Sequence, residues 1–228
     1  MSGGDDVVLL DIDGTLVDST YHHAVAWFRA FGRHGTPPPM WQVHRAIGMG
    51  GDKLVAHVTD EETEDRIGDA LRDAWREEYL PLRDEVVALP GAADLVAEIR
   101  DRGARVAVAS SGDPQFAREA IELLGIGDHV EVLLTSDDVD ASKPEPDLLQ
   151  ATLDRLGEMG GDVERAVLVG DTVYDIESAR RVGIPCIAVR TGGFGQAELE
   201  EAGAVLVTGS TAELLGGAWA EHLAAPSR

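Results

Sequence analysis

The run Val7-Val8-Leu9-Leu10 is apolar at every position and stops at Asp11-Ile12-Asp13-Gly14-Thr15. A strand with one face in water alternates apolar and polar residues. A strand apolar throughout is buried on both faces, as in a parallel sheet covered by helices. Further short apolar runs at 105–110, 130–134, 165–170, 185–189 and 204–207 are mostly separated by helix-like segments. This is the alternation of an α/β protein with a parallel, Rossmann-like sheet. In open sheets of that type, ligands bind beyond the carboxyl ends of the strands. The first run delivers Asp11 and Asp13 to that edge. Side chains two apart on an extended chain share a face, so one carboxylate can attack a reacting group while the other carries a proton. Gly14 lets the backbone approach an anion closely.

Residues 18–89 separate the first two runs and contain no strand-like pattern, which predicts a helical lobe inserted into the core. Ser19 or Thr20 can cap a helix whose Ala24, Trp27, Phe28 and Phe31 fall on one face, and Thr36-Pro37-Pro38-Pro39 ends it. Ile67, Leu71, Ala74 and Trp75 mark another helix, favoured at its start by the acidic run 60–65 through the helix dipole. Pro90-Gly91 then turns the chain into a helix with Leu95, Val96 and Ile99 inward, closed by Arg102-Gly103. A chain of 228 residues is long enough for a core with such a smaller unit inserted.

Charge narrows the range of partners. With 19 Lys and Arg against 42 Asp and Glu, a formal net charge of −23, no basic patch is available to grip nucleic acid. An anionic small substrate is also repelled at long range, so a phosphate site must rest on local devices: a metal, a lysine and helix N-termini. No apolar segment approaches the roughly 18 residues that a membrane span requires, and the start of the chain has no basic leader. These features predict a cytoplasmic protein without a membrane partner, as a monomer or small homo-oligomer. Cys186, the single cysteine, lies in an apolar run and reads as core packing.

Three further groups fall where such a sheet would put chemistry. The run 105–110 ends in Ser110-Ser111-Gly112, offering hydroxyls and backbone N–H groups to phosphate oxygens. Lys143 lies in the proline-stiffened segment Ser142-Lys143-Pro144-Glu145-Pro146-Asp147. Val167-Leu168-Val169 runs into Gly170-Asp171-Thr172-Val173-Tyr174-Asp175, with two carboxylates one helical turn apart, only one of which a helix cap explains. Mg²⁺ prefers oxygen ligands and commonly bridges one or two carboxylates to a substrate phosphate, which Asp11, Asp13 and Asp171 could supply. Phosphoryl transfer to a carboxylate needs its spreading charge neutralised, and a metal, a lysine and N–H groups do that.

Taken in order, Asp11-x-Asp13-Gly14-Thr15, Ser110, Lys143 and Asp171/Asp175 resemble the four sequential motifs of the haloacid dehalogenase superfamily. Nearest is its phosphoglycolate phosphatase and β-phosphoglucomutase-like branch. The resemblance implies a catalytic core over 1–17 and 90–228 with a helical cap domain over 18–89. It implies a Mg²⁺-dependent phosphatase acting on a small phosphorylated metabolite. Asp11 would be the nucleophile that forms an aspartyl-phosphate, and Asp13 would protonate the leaving group and then activate water. Gly14, Ser110, Ser111 and Lys143 would hold phosphoryl oxygens. Asp11, the Asp13 backbone carbonyl and Asp171 would bind the metal, with Asp175 beside them or one water removed.

The alternative enzyme is a sugar-phosphate mutase, which shares the core and differs in the cap. His23 resembles the mutase's cap histidine, but the Arg45 to Gly51 segment lacks the arginine that the mutases carry after its first glycine. A phospho-accepting receiver domain also combines strand-end aspartates with a lysine, but it is shorter and has no helical insertion. For the leaving group the cap offers His22, His23, Arg45, the turn from Gly48 to Gly51 with Gly50 at its centre, and Lys53. His44 and His57 read as surface residues. Hinges are expected near Val17 to Ser19 and Pro81 to Leu89.

Overall fold

A computed structural model describes residues 5–35, 37–160 and 163–226. Six strands form one parallel sheet in the order β3-β2-β1-β4-β5-β6. They are β1 (Asp5–Leu10), β2 (Arg105–Ala109), β3 (Val132–Leu134), β4 (Val163–Gly170), β5 (Cys186–Val189) and β6 (Leu206–Thr208). The first strand is central because both of its faces are apolar. Val8 and Leu10 pack against helices α5 (Ala92–Asp101) and α6 (Pro114–Leu124), whereas Val7 and Leu9 pack against α7 (Asp147–Glu158) and α8 (Val173–Arg181). All four side chains are fully buried, each contributing on the order of 1.5–3 kcal/mol of gross transfer free energy. Cys186 is buried in β5, as its apolar run predicts. Among the described residues no helix is long and apolar enough to cross a membrane.

The strand order reverses beside β1. The chain first moves from β1 to β2 and β3, then returns to lay β4 on the other side of β1. Such a switch point opens a crevice at the carboxyl edge. Leu10 is level with Val108 of β2 and with Val169 of β4. Asp11 extends the ladder by donating its N–H to the Val169 carbonyl at 3.0 Å. The residues that follow β1, β2 and β4 therefore emerge side by side.

The insertion is helical, as its sequence predicts, but built from four helices: α1 (Thr20–Arg33), α2 (Met40–Ala46), α3 (Gly51–Val58) and α4 (Glu61–Tyr79). Ala24, Trp27 and Phe31 face a small core with Val43, Leu54, Val55 and Leu71, and Phe28 is only half-buried. Asp60 caps α4 by accepting the Thr63 N–H at 2.7 Å. The short helices α2 and α3 flank the turn at 47–50 and carry no periodic signal, because seven or eight residues give too few turns for one. Thr36, placed at the end of α1 by its sequence, lies outside the described residues.

At the edges the sheet differs from expectation in small ways. Strand β3 begins at Val132 rather than 130, after a turn at Gly127–His129. Strand β6 begins at Leu206, because Ala204 is tied back to α9 (Gln196–Ala202) through the Leu199 carbonyl. The two chain segments joining lobe to core run together. Asp18 donates to Val87 and Leu89 to Leu16, each at 2.9 Å.

Leu71 is fully buried in the lobe's own core. Leu71→Ala should lower the unfolding free energy by about 2–5 kcal/mol, as buried leucine truncations do. Urea denaturation checks it, and a loss below about 1 kcal/mol would mean that the lobe's interior is not close-packed.

Candidate active site

Three segments at the carboxyl edge, after β1, before α7 and at the junction of β4 with α8, bring Asp11, Lys143, Asp171 and Asp175 together. Lys143 is 1% exposed, its ammonium 2.6 Å from Asp11 Oδ1, 2.8 Å from Asp175 Oδ1 and 2.8 Å from the Ala109 carbonyl at the end of β2. Burial lowers a lysine's proton affinity, but Asp11 and Asp175 more than offset it and hold this ammonium above its ordinary value. Carboxylate oxygens of Asp11, Asp171 and Asp175 lie within 4.8 Å of one another, all buried.

Each carboxylate has a distinct support. Asp171 Oδ1 accepts from the Thr15 hydroxyl at 3.0 Å, whereas its Oδ2 is buried with no partner among the described residues. Asp175 has neighbours on both oxygens: Oδ2 accepts from the Thr172 N–H at 3.1 Å and the Thr172 hydroxyl at 2.6 Å, and Oδ1 is ion-paired with Lys143 without a directed hydrogen bond. The start of α8 is thus a capping box with Thr172 as the cap, so neither aspartate serves as the cap residue. Gly14 has φ +78, and a Cβ there would lie 2.4 Å from Asp171 Oδ2. Only glycine satisfies both conditions.

Asp13 lines the same cleft but is bonded to residues of the lobe. Its Oδ1 accepts from Ser19 Oγ at 2.5 Å and lies 2.9 Å from His23 Nε2. Ser19 occupies the cap position of α1 but makes no capping bond, because its hydroxyl is used on Asp13. The His23 ring is stacked on Tyr79, centroids 4.0 Å apart, and beside Trp75, so the lobe fixes its direction. At the end of β2, Ser110 Oγ accepts from the Gly112 N–H at 3.0 Å, and the buried Ser111 Oγ has no partner among the described residues.

The electrostatics follow from three buried carboxylates sharing one lysine. Burial, opposed by Lys143 and reinforced by Asp175 and Asp13, pushes the Asp11 carboxyl up to about 7. Burial, with Asp175 and Asp11 adding to it, pushes Asp171 well above the carboxylate range. Burial also raises Asp13, but His23, Ser19 and Lys143 together outweigh it and hold that carboxyl below its ordinary value. A divalent cation fits this cluster: three oxygen donors converge, one with an unpartnered buried oxygen, and the surplus negative charge is what such an ion neutralises.

A cleft of about 400 Å³ opens over Asp11 and Asp13, between core and lobe. Ser111 and Gly112 line it from the core, and His23, Trp27, Met49 and Trp75 from the lobe. The other cap candidates lie elsewhere. Arg45 is ion-paired with Glu198 and stacked 3.9 Å above the Phe194 ring, outside the cleft. Lys53 is half-buried on α3 and does not line it. Gly50 stands at the rim, its N–H donating to Ser142 Oγ at 3.0 Å. His22 is half-buried with its Nδ1 unpartnered among the described residues. His57 is exposed, as expected, but His44 is not a free surface residue: it stacks on Tyr21 and reaches the Gly192 carbonyl at 3.1 Å.

The sequence reading missed Arg72 and Arg76, which line the cleft from α4. They stand one position after Leu71 and Trp75, on the flank of the apolar stripe, which is the only signal that could have drawn notice. Thr15 and Ser19 were in view, but their contacts with Asp171 and Asp13 are not readable from spacing.

Known proteins resemble this chain over most of its length. The family model described as haloacid dehalogenase-like hydrolase matches residues 6–183. The phosphoglycolate phosphatase of Cupriavidus necator is 32% identical over 193 residues, covering 82% of each protein. Validoxylamine A 7'-phosphate phosphatase of Streptomyces hygroscopicus subsp. limoneus is 28% identical, covering 81% of this chain and 85% of its own. Among solved structures, a hydrolase from Pseudomonas syringae superposes with a TM-score of 0.87 at 30% identity, covering 94% of this chain and 98% of its own.

With cations chelated, Asp11 binds a proton more tightly folded than unfolded. A carboxyl raised on folding costs nothing below its unfolded value of 3.8, and the full cost is reached once pH passes about 7. Asp11→Asn removes that cost. In EDTA at about pH 8 the variant should melt several degrees above the parent, since each ~1 kcal/mol moves Tm by about 2–4 °C at this size. The gap should close as pH falls towards 4. A variant melting below the parent at pH 8 would contradict the like-charge account.

Proposed function

The chain belongs to the haloacid dehalogenase-like hydrolases, as a phosphoric monoester hydrolase, and we propose that it hydrolyses a small phosphorylated metabolite through an aspartyl-phosphate on Asp11, with Mg²⁺ as cofactor. The observation that carries this reading is the position of Asp11. Its carboxylate stands at the end of the central strand, on the cleft floor, held at 2.6 Å by a buried lysine and facing two further carboxylates.

In this reading Asp11 and Asp171, with the Asp13 backbone carbonyl, hold the metal. Asp175, both of whose oxygens are already engaged, keeps Lys143 and the start of α8 in place. When bound there, such an ion would supply positive charge against the oxygens of the transferring phosphoryl group. Lys143, the Ser110 and Ser111 hydroxyls and the backbone following Asp13 and Ser110 hold the remaining phosphoryl oxygens. One Asp11 oxygen forms a bond to phosphorus while the ester P–O bond breaks, and Asp13 passes a proton to the departing oxygen. The phosphoryl dianion brought against Asp13 raises its proton affinity for that step. His23 and Ser19, which favour its ionised form, suit it to the next step, in which it takes a proton from the water that releases phosphate. The lobe acts as the cap that bears on the leaving group, so Asp18 to Leu89 would choose the substrate and the core would perform the transfer.

Hydrolysis of 4-nitrophenyl phosphate should require Mg²⁺, vanish in EDTA and be supported poorly by Ca²⁺, whose larger and looser coordination misplaces the attacking carboxylate. Asp11→Asn should abolish turnover, and Asp13→Ala should lower kcat by about 10²- to 10⁴-fold, the usual worth of general acid–base assistance. Full activity without divalent metal, or more than about one part in a hundred remaining in Asp11→Asn, would defeat the proposal. Phosphate released from a monophosphate without a bisphosphate primer separates this enzyme from a mutase.

A further inference from the structure

Beyond the reacting carboxylates, the unpaired charge in the cleft is of one sign. Asp52 and Asp73 of the lobe and Asp137 and Asp140 of the loop after β3 line it, and none of the four is ion-paired among the described residues. Asp52 only accepts hydrogen bonds from Ser142. The two arginines in the lining are already neutralised. Arg72 pairs with Glu64 and Asp69 and also bonds the Gly51 carbonyl, while Arg76 pairs with Asp113 and bonds Gln115. Lys143 is buried under Asp11, and His23 is turned to Asp13. A second anionic group on a substrate therefore finds repulsion and no available cation, and because the four carboxylates are exposed that repulsion is open to screening by salt.

Part of the remaining wall is apolar. The Trp27 and Trp75 rings lie stacked at 5.4 Å, with Ile47 and Met49 nearby, a surface suited to the C–H face of a ring-sized group. An ammonium or hydroxyl on such a group would meet the unpaired carboxylates as a donor, and charge-assisted hydrogen bonds are the stronger kind.

We infer that the cleft selects phosphate monoesters of amine-bearing polyols, accepts uncharged polyol esters less well, and disfavours esters that carry a carboxylate or a second phosphate. This rests on the phosphatase reading and assigns its substrate class. The net charge of −23 adds a long-range field of the same sign.

Three six-carbon 6-phosphates of similar size test it: 2-amino-2-deoxyglucose 6-phosphate, glucose 6-phosphate and 6-phosphogluconate, with 4-nitrophenyl phosphate as reference. At low ionic strength kcat/KM should fall in that order, by about ten-fold or more from first to last, and added salt should narrow the spread. The double variant Asp73→Asn/Asp140→Asn should reduce the ratio of amine-bearing to acid-bearing turnover several-fold. Equal or better turnover of the acid-bearing ester, with 4-nitrophenyl phosphate still hydrolysed, overturns the inference and leaves the phosphatase reading standing. An order indifferent to both salt and the double variant overturns it too. Loss of turnover on all four compounds overturns both.

Discussion

One buried ammonium organises this molecule. Lys143 enters the carboxyl edge of the sheet from the loop before α7, and its three short contacts are with Asp11 after β1, Ala109 of β2 and Asp175 of α8. Removing a charge from water costs several kcal/mol unless its new partners are well placed. The lysine's cost is met only when all three elements are in register. The arrangement also overshoots, since Asp171 makes a third carboxylate around one cation. Burial, with neighbouring carboxylates adding to it, raises Asp11 and Asp171 together, and the surplus negative charge gives the cluster its affinity for a further positive charge. Stability and chemistry pull against each other here, as they do where an active site is built from like charges.

The same cluster dictates small residues at a distance in sequence. A Cβ on Gly14 would fall 2.4 Å from Asp171 Oδ2, and one on Gly192 only 1.6 Å from it. Gly14 belongs to the turn after β1 and Gly192 to the turn after β5, so two loops close on one carboxylate from opposite sides. Thr15 holds the other Asp171 oxygen. The carboxylate that lacks a partner for Oδ2 is thus fixed in direction by packing.

What could be read from the sequence divides along the same line. β1, β2 and β4 are short, unalternating apolar runs, and the residues after them must share an edge, so Asp11, Ser110 and Asp171 can be set side by side from the sequence, whereas Lys143 reads by itself as an exposed loop lysine and joins them only through the family resemblance. The lobe resisted that reading for two reasons. Helices α2 and α3 are too short to show a period. Its long cations also choose partners by three-dimensional proximity: Arg45 finds Glu198, and Arg76 finds Asp113. Ser19 failed as a helix cap for a related reason, since Asp13 competes for its hydroxyl and wins through charge. Local rules gave way where a buried charge offered a stronger bond.

The contacts across the seam set how easily the cleft opens. The lobe is held to the core by Arg76 on Asp113, Arg83 on Glu119, Arg45 on Glu198, and the Asp52–Ser142 pair with the Gly50 N–H. Most of these ion pairs are partly solvated, and such pairs are worth about 0–1 kcal/mol each. The lobe's apolar core is its own, centred on Trp27, Leu54 and Leu71, so parting the seam would leave most of that core packed. The tether is likewise economical: two chain segments meeting at Val17 and Ala88 join lobe to core. His23 and Tyr79 are the exception: His23 belongs to the lobe and bonds Asp13, and Tyr79, stacked on it, packs against Phe116 of the core. Were the lobe to part from the core, His23 would leave Asp13 while Ser19, at the foot of the lobe, would stay next to the tether. The proton affinity of Asp13 would then follow the position of the lobe, since the partner that most favours its ionised form belongs to the lobe.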